Sequence, residues 1–316
     1  QSILIEHLPV ILRSIRWFLK FIHPKTGLVT NLPQWLFIDW STNDKWGANG
    51  VVNAQLYNVL NQIIEMVSIA GWGQAVAGFD LITNKIKESL NYFFWSQARQ
   101  AYIDAVDFDE QGNVLKRSEK VSFHTNSLML LYDLTPKDRI DTIFEHVFSI
   151  PYSRLFTQNA APLWKGRTSP LYRPTIDVIM AEPFFMHHVN QAFAKHGRFD
   201  LIARFINDGW CEMINKGATS IWETWGNHGS LCHAWSCTPA FDMLCHCLGV
   251  SRIEPGASKI RINPHPMGLT WAKGTVPTIR GPIKIEWNID PQTGLIDLNY
   301  HVPDGIEIFV EKQFKK

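Results

Sequence analysis

SRIEPG, residues 251–256, separates two patterns of apolar residues in this chain of 316 residues. Before it, apolar residues recur at intervals of three and four, as in the series Phe79, Ile82, Ile86, Leu90 and Phe93. Such intervals place apolar side chains along one face of a helix. After it, apolar and polar residues alternate, which is the period of a β-strand. The sequence therefore predicts a helical domain over residues 1–250 and a β-domain over residues 251–316.

The helical part contains several amphipathic segments in series. A second apolar stripe consists of Ile202, Phe205, Ile206, Trp210 and Met213. Further helices are predicted over residues 4–22, 50–70, 123–132, 136–148, 176–196 and 231–248. Glycine and proline separate these segments, for example Pro136 and Gly197. About eight helices, joined by connections long enough to carry functional loops, favour a mainly α protein with a helical barrel over a four-helix bundle.

The β-domain is predicted from three alternating runs, residues 283–289, 296–302 and 306–310. The turn sequence DPQTG, residues 290–294, separates the first two runs. Short alternating strands joined by turns are typical of an antiparallel sheet system. We expect a small antiparallel β-sandwich that packs against the helices.

Composition limits the partners that the chain is expected to bind. Its formal net charge is +1 and its lysines and arginines form no cluster, which argues against nucleic acid or an anionic membrane. No membrane-spanning run or targeting segment is visible. The 5 cysteines are odd in number and have no zinc spacing, so we expect reduced core thiols and no metal. The sequence contains no phosphate-binding glycine loop, so it implies no organic cofactor.

The densest group of unusual residues is GATSIWETWGNHGSLCHAWSCTP, residues 217–239. Within it, Glu223 lies between Trp222 and Trp225. A carboxylate beside indole rings is what a glycosidase needs, because the carboxylate can activate water and an aromatic face can stack on a sugar. The alternative interpretation is a carboxylate of a surface loop beside two core tryptophans.

Residues 217–250 and 262–278 resemble the catalytic domain of bacterial α-L-rhamnosidases, glycoside hydrolase family 78. The family segment Gly-Ala-Thr-Thr-x-Trp-Glu supplies the base that activates water, and Glu223 falls on that glutamate. A Ser-x-x-His pattern is matched by Ser230 and His233, and the WLFIDW segment matches an aromatic Asp-Trp region near the family's sugar site. The resemblance extends from about residue 15 to 312 and implies an (α/α)6-barrel, or six-hairpin glycosidase, followed by the β-sandwich.

The resemblance implies an inverting hydrolase that removes terminal rhamnose from polysaccharides, oligosaccharides or glycosides. Glu223 is then the catalytic base, and the residues expected to contact the carbohydrate are Asp39, Trp40, Trp222, Trp225 and His233. No metal or cofactor is implied. Another (α/α)6-barrel glycosidase with a different sugar specificity is the enzymatic alternative. Secretion or export to the periplasm would suit a polymeric substrate.

One family feature does not occur in the sequence. The family places its general acid in an Arg-Asp-Glu-rich motif upstream of the Asp-Trp segment, and this chain contains no Arg-Asp-Glu triplet. We therefore expect that the helical barrel is incomplete at its N-terminus and that a missing segment or a partner chain supplies the acid. A degenerate relative that binds sugars without cleaving them is the alternative.

Other polar residues are weighed from their local sequence. Asp39, between Ile38 and Trp40, is expected to be a buried carboxylate bonded to sugar or backbone. His124 opens a helix and is a weak candidate for the site. Glu182 precedes an aromatic helix, and its negative charge is expected to interact favourably with the positive end of the helix dipole. Asp104 and Asp107 follow an aromatic run and could point into a cleft. The neighbouring Asp109, Glu110 and Gly112 favour a solvated turn instead.

Overall fold

The computed structural model describes residues 2–157, 171–226 and 229–311. Tertiary contacts divide the chain into two units, Gln1–Ala192 and Phe193–Lys316, which are described separately below. This division by contacts differs from the predicted boundary between residues 250 and 251, which rests on the change of apolar period and stays a prediction.

The first unit is mainly helical, with short strands in the connections. Its helices are α1 (Ser2–Leu19), α2 (Gly50–Ala70), α3 (Phe79–Ser89), α4 (Phe123–Leu131), α5 (Lys137–Ile143) and α6 (Met186–Lys195), the last of which runs past its end. The strands are β1 (Ala48–Asn49), β2 (Trp95–Ser96), β3 (Ala101–Tyr102), β4 (Ala105–Phe108), β5 (Val114–Arg117), β6 (Leu155–Phe156) and β7 (Val178–Ile179). Strand β4 pairs with β1 and β5, and β6 pairs with β7 in parallel.

Helix α4 is the central helix of this unit, since every residue from Phe123 to Leu130 is buried. A helix buried on all sides must satisfy its polar groups inside the protein, and Ser122 does so by accepting the backbone N–H of Thr125. Helix α2 begins directly beside it. A Cβ on Gly50 would lie 2.6 Å from Cγ2 of Thr125, so only glycine lets the two helix N-termini approach this closely.

The second unit continues the helical part with α7 (Phe199–Phe205), α8 (Cys211–Asn215) and α9 (Thr238–Asp242). Five-residue π-helical turns extend α3, α5, α7 and α9 through Leu90–Phe94, Phe144–Phe148, Ile206–Trp210 and Met243–Cys247. With these turns, the predicted helices over residues 50–70, 79–93 and 136–148 are confirmed. Two other predicted helices are shorter than expected.

The shortened helices have local causes. Residues 176–185 are not helical, because Val178 and Ile179 form β7 and Pro183 cannot donate a backbone hydrogen bond. The segment predicted as a helix from residue 231 contains only a 3₁₀ turn, Ala234–Ser236, before α9 starts with Pro239 in its first turn.

Two three-stranded sheets follow α9. One contains β10 (Trp271–Val276), β11 (Ile283–Ile289) and β12 (Ile296–His301) in sequence order, all antiparallel. The other contains β8 (Val250–Arg252), β9 (Lys259–Ile262) and β13 (Glu307–Val310). Buried residues of both sheets, including Ile260, Ile262, Ile285 and Trp287, form one core. The prediction of a small β-domain is confirmed, although β13 pairs with β9 in parallel.

All five cysteines are free thiols. Cys247 is buried, but Cys232 and Cys237 are exposed, so the expectation of core thiols was wrong for these two. Among the described helices, none combines the length and the apolar composition that crossing a bilayer requires.

Candidate active site

Glu223 lies in a loop of the second unit whose two sides pair like strands. The backbone N–H of Glu223 donates to the carbonyl of Ser230 (2.9 Å), and the N–H of His233 donates to the carbonyl of Ile221 (2.8 Å). These bonds fix the two sides against each other. Asn227 and His228, at the tip of the quoted motif, lie outside the described residues.

The Glu223 carboxylate turns back onto the opposite side of the loop. Its Oε2 accepts the backbone N–H of Ser230 (2.9 Å) and lies 3.7 Å from Nδ1 of His233. The side chain retains 14% of its accessible surface, so solvent can reach it. The His233 ring lies against Trp235, with centroids 4.4 Å apart. A fixed and partly accessible carboxylate is suited to accept a proton from water.

The two tryptophans beside Glu223 lie beneath the loop. Trp225 is fully buried and contacts Trp210 edge to face at a centroid distance of 4.8 Å. The indole N–H of Trp210 donates to the carbonyl of Ser236 (2.9 Å), which ties the core to the end of the loop. Trp222 is also buried, with 8% of its surface exposed. Both tryptophans beside Glu223 are therefore core residues, as the alternative interpretation predicts, and Trp225 presents no face to solvent.

Asp39, in the first unit, is buried and fully hydrogen-bonded. Oδ1 accepts the N–H of Ser41 (2.8 Å), and Oδ2 accepts the N–H of Glu182 (2.9 Å) and Nε2–H of His124 (2.6 Å). Burial by itself would raise the pKa of Asp39, but the nearby His124 and these donors outweigh it and hold the pKa below 3.8. The expected buried carboxylate bonded to backbone is what the structure contains.

His124 is the partner that sequence reasoning ranked too low. Its side chain has no exposed surface, and because the Asp39 carboxylate can only accept, the proton of the ring lies on Nε2. Nδ1 has no hydrogen-bond partner within the described part of the chain. Phe185 covers the ring at 4.5 Å, and His188 lies next to Phe185. Burial, with His187 and His124 nearby, lowers the pKa of His188 to about 4.

Trp40 follows Asp39 and points outward, with 45% of its surface exposed. It forms an aromatic cluster with Phe37 (5.1 Å) and Trp35 (6.4 Å). Trp35 also lines a cavity of about 320 Å³, together with Lys45 and other residues. Lys45 Nζ donates to the carbonyl of Asp39 (2.9 Å), and burial lowers the Lys45 pKa below 10.5. The hydrogen bonds of Asp39 therefore fix the backbone of the segment that carries Trp40.

Asp104 is the residue whose environment the sequence analysis missed. It is 1% exposed, so its assignment to a solvated turn was wrong, although Asp109 and Gly112 do form the expected turn. Its Oδ1 accepts the hydroxyls of Ser122 (2.5 Å) and Thr125 (3.2 Å) at the start of α4. Burial raises the pKa of Asp104 to about 6 despite these bonds. The apolar residues on both sides of Asp104 are the signal that would have indicated burial.

We expect Asp104→Asn to flatten the pH dependence of stability. The folded-state pKa of about 6 lies above the ordinary 3.8, so folding favours the protonated form. That contribution is complete below pH 3.8 and is lost as the pH rises through 6, so the free energy of unfolding should fall across this window. Asparagine stays uncharged, and the fall should shrink. Urea unfolding between pH 4 and 7.5 measures the free energy of unfolding of parent and variant, and Asp107→Asn is the control. The prediction is contradicted if this free energy depends on pH equally in Asp104→Asn and in the parent.

The chemistry-bearing residues thus form two groups. Asp39, Trp40 and His124 lie in the first unit, and Glu223, Trp222, Trp225 and His233 lie in the second. No group of three or more His, Cys, Asp or Glu side chains in residues 2–157, 171–226 and 229–311 is arranged to hold a metal ion.

Comparison with known proteins places this arrangement among the six-hairpin glycosidases. Residues 5–244 match the model of the bacterial alpha-L-rhamnosidase 6 hairpin glycosidase domain. Residues 249–311 match the bacterial alpha-L-rhamnosidase C-terminal domain. The chain belongs to the bacterial α-L-rhamnosidase family.

Relatives of this chain are longer than it is. An alpha-L-rhamnosidase of Alteromonas sp. (strain LOR) is 26% identical over 215 residues, which cover 63% of this chain and 21% of the relative. A solved rhamnosidase of glycoside hydrolase family 78 from Bacillus sp. GL1 aligns with a TM-score of 0.82 at 24% identity. The alignment covers 99% of this chain and 31% of the Bacillus chain. The structure of an alpha-L-rhamnosidase from Dictyoglumus thermophilum aligns with a TM-score of 0.67 at 18% identity. That alignment covers 100% of this chain and 33% of the Dictyoglumus chain. These likenesses confirm the predicted six-hairpin fold.

Proposed function

We propose that this chain is part of an inverting α-L-rhamnosidase in which Glu223 is the general base. Glu223 removes a proton from water as the water attacks the anomeric carbon, and a general acid on the opposite face protonates the leaving oxygen. The substrate we propose is a terminal rhamnose of a polysaccharide, oligosaccharide or glycoside. The chain spans about a fifth of the Alteromonas relative, so the activity of the whole enzyme is part of this proposal.

The observation that carries the proposal is the fixed position of the Glu223 carboxylate. Oε2 accepts the Ser230 N–H, and this bond holds the carboxylate in one orientation, as a general base requires. His233 is close enough to hydrogen-bond a sugar hydroxyl beside that carboxylate. In the second unit we propose His233 as a sugar contact, with Trp222 and Trp225 in the core beside its loop. In the first unit we propose Trp40 as a sugar contact, with Asp39 fixing the backbone of its segment.

The proton donor is the second requirement of an inverting reaction. It must lie roughly 6.5 to 9.5 Å from the base, on the other side of the sugar ring. The family motif for this acid does not occur in the chain, so we propose that a segment or partner outside these residues supplies it. Without general-acid assistance, the rate should be about 10² to 10⁴ lower on substrates with poor leaving groups.

The deciding experiment follows hydrolysis of an aryl α-L-rhamnoside by NMR. It compares the 316-residue chain with a version lengthened at its N-terminus by the matching part of a relative. We expect the lengthened protein to release the β-anomer of rhamnose first, because inversion converts an α-linkage into a β-product. Early release of the α-anomer would refute inversion. A lengthened protein that binds rhamnose and cleaves nothing would favour the sugar-binding alternative.

Gly229→Ala tests the position of the base. Gly229 has φ +88°, and a Cβ there would lie 2.8 Å from Oε2 of Glu223. We expect the free energy of unfolding to fall by about 1–2 kcal/mol because of the backbone strain. We also expect the rate of hydrolysis to fall, because the carboxylate must move. Gly71→Ala is the matched control, since Gly71 has φ +75° with nothing within 4 Å. The placement of Glu223 is refuted if both variants of the lengthened protein hydrolyse the rhamnoside at the same rate.

A further inference from the structure

The sheet β10–β11–β12 presents three ordered rows of side chains away from the core. Its register aligns Trp271 with Asn288 and Asp297, Lys273 with Glu286 and Asn299, and Thr275 with Lys284 and His301. The alternate positions of β11 hold the buried Ile283, Ile285 and Trp287. Since successive side chains of a strand point to opposite faces, all three rows lie on the face opposite the core.

Trp271 stands out on this face. Its side chain is 62% exposed, on the edge strand β10, within a surface that is otherwise polar. Within residues 2–157, 171–226 and 229–311, its ring has no aromatic or cationic partner. A single exposed apolar residue needs no explanation by itself. Here, however, the two rows that follow Trp271 on the same face form a concavity of about 270 Å³, lined by residues that include Lys273, Glu286, Asn299 and His301.

The polar groups of the face suit a neutral ligand that both donates and accepts hydrogen bonds. Lys273 forms an ion pair with Glu286 (2.8 Å), so neither charge is left over for an ionic ligand. Lys284 and Asp297, which lie two rows apart, have opposite charges, so the three rows have no net formal charge. The side-chain amides of Asn288 and Asn299 have no hydrogen bond within the described residues and offer donors and acceptors together. Without an excess of positive charge, nucleic acids and acidic polymers are poor candidates.

We propose that this face is a carbohydrate-binding surface for a neutral oligosaccharide. One sugar ring stacks its apolar face on Trp271, and the next ring lies over the concavity, where Asn299 and the Lys273–Glu286 pair bond its hydroxyls. Rows on one face of a strand are about 6.8 Å apart, which is close to the length of one sugar unit. The surface lies in the β-domain and uses none of the residues proposed for catalysis, so it is a second and separate binding site.

The test measures binding of the 316-residue chain to neutral tetrasaccharides by calorimetry, using α-linked rhamnose, β-linked xylose and β-linked glucose. We expect at least one to bind, and Trp271→Ala to lower its affinity by about tenfold, the loss of one good aromatic contact. Trp72→Ala is the matched control, because Trp72 is 38% exposed in the first unit. The measurement follows binding and not cleavage, so failure of the proposed hydrolysis would not affect the result.

Two outcomes would overturn the proposal. One is that no tetrasaccharide binds the parent chain at millimolar concentration. The other is that binding is unchanged by Trp271→Ala but is lost on substitution of Trp40 or Glu223, which would assign it to the candidate active site. If Trp271→Ala does not fold, the double change Asn288→Ala with Asn299→Ala decides in the same way, because both residues are exposed and lie outside the core.

Discussion

Glu223→Gln is expected to lower kcat for aryl α-L-rhamnoside hydrolysis by about 10² to 10⁴, with little change in KM. Glutamine keeps an oxygen that can accept the Ser230 N–H, so the loop and the sugar contacts should persist. It cannot take a proton from water, so only the chemical step is slowed. Steady-state kinetics of the lengthened protein measure both constants.

Chemical rescue distinguishes a lost base from a disturbed site. In Glu223→Ala, azide should replace the activated water, because azide attacks the anomeric carbon without giving up a proton. The expected product is the β-rhamnosyl azide, formed as the aryl group leaves with its electron pair. Glu212→Gln, at a partly exposed acidic residue of the same unit, should keep the parent rate. A Glu223→Gln variant within tenfold of the parent would show that another group is the base.

Asp39→Ala is expected to reduce the free energy of unfolding by about 3–5 kcal/mol, because it removes the acceptor of three buried hydrogen-bond donors. The substitution leaves His124 and the backbone N–H groups of Ser41 and Glu182 without their acceptor. These three groups come from separate stretches of the first unit, so all of them should loosen together. Urea unfolding followed by tryptophan fluorescence measures the loss.

The pH dependence of this contribution has a definite sign. The folded-state pKa of Asp39 is below 3.8, so its stabilisation is complete above pH 3.8 and is lost as the pH falls through the lower value. The variant and the parent should therefore converge in acid. Asp141→Ala, at an exposed position of α5, is the control and should change stability by less than about 0.5 kcal/mol. A constant difference between variant and parent down to the lowest pH would contradict the assignment.

The fold was predictable where burial on one face sets the period of the sequence. The alternation from Ile283 to Ile289 predicts β11 because its odd-numbered residues pack in the core. The pairing of β13 with β9 was not predictable, since parallel partners are chosen by tertiary packing and the alternation of a strand carries no direction. The same limit applies to residues 176–185, where pairing with β6 overrides an apolar pattern that resembles a helix.

The candidate site was predictable where a motif carries it. Glu223 and its loop follow from the Trp-Glu sequence and the resemblance, and the structure adds the Ser230 hydrogen bond. The apolar residues beside Asp104 indicate its burial but not its partners, because the hydroxyls that it accepts come from Ser122 and Thr125, on the far side of a turn. Likewise, the tight bond between Asp39 and His124 joins residues far apart in the chain. Short-range sequence patterns describe neighbours along the chain, and these contacts are between distant segments.

The parallel pairing of β13 with β9 also determines the order in which the β-domain assembles. Strands β10, β11 and β12 are joined by short connections and can pair as soon as they are synthesised. The β9–β13 pair must instead close the long loop from Ile262 to Glu307, which contains that whole meander. Until β13 arrives, the apolar side of the meander, with Ile283, Ile285 and Trp287, faces an unfinished partner sheet. An apolar surface that is open during synthesis is the condition that favours aggregation, and it ends when β13 pairs with β9.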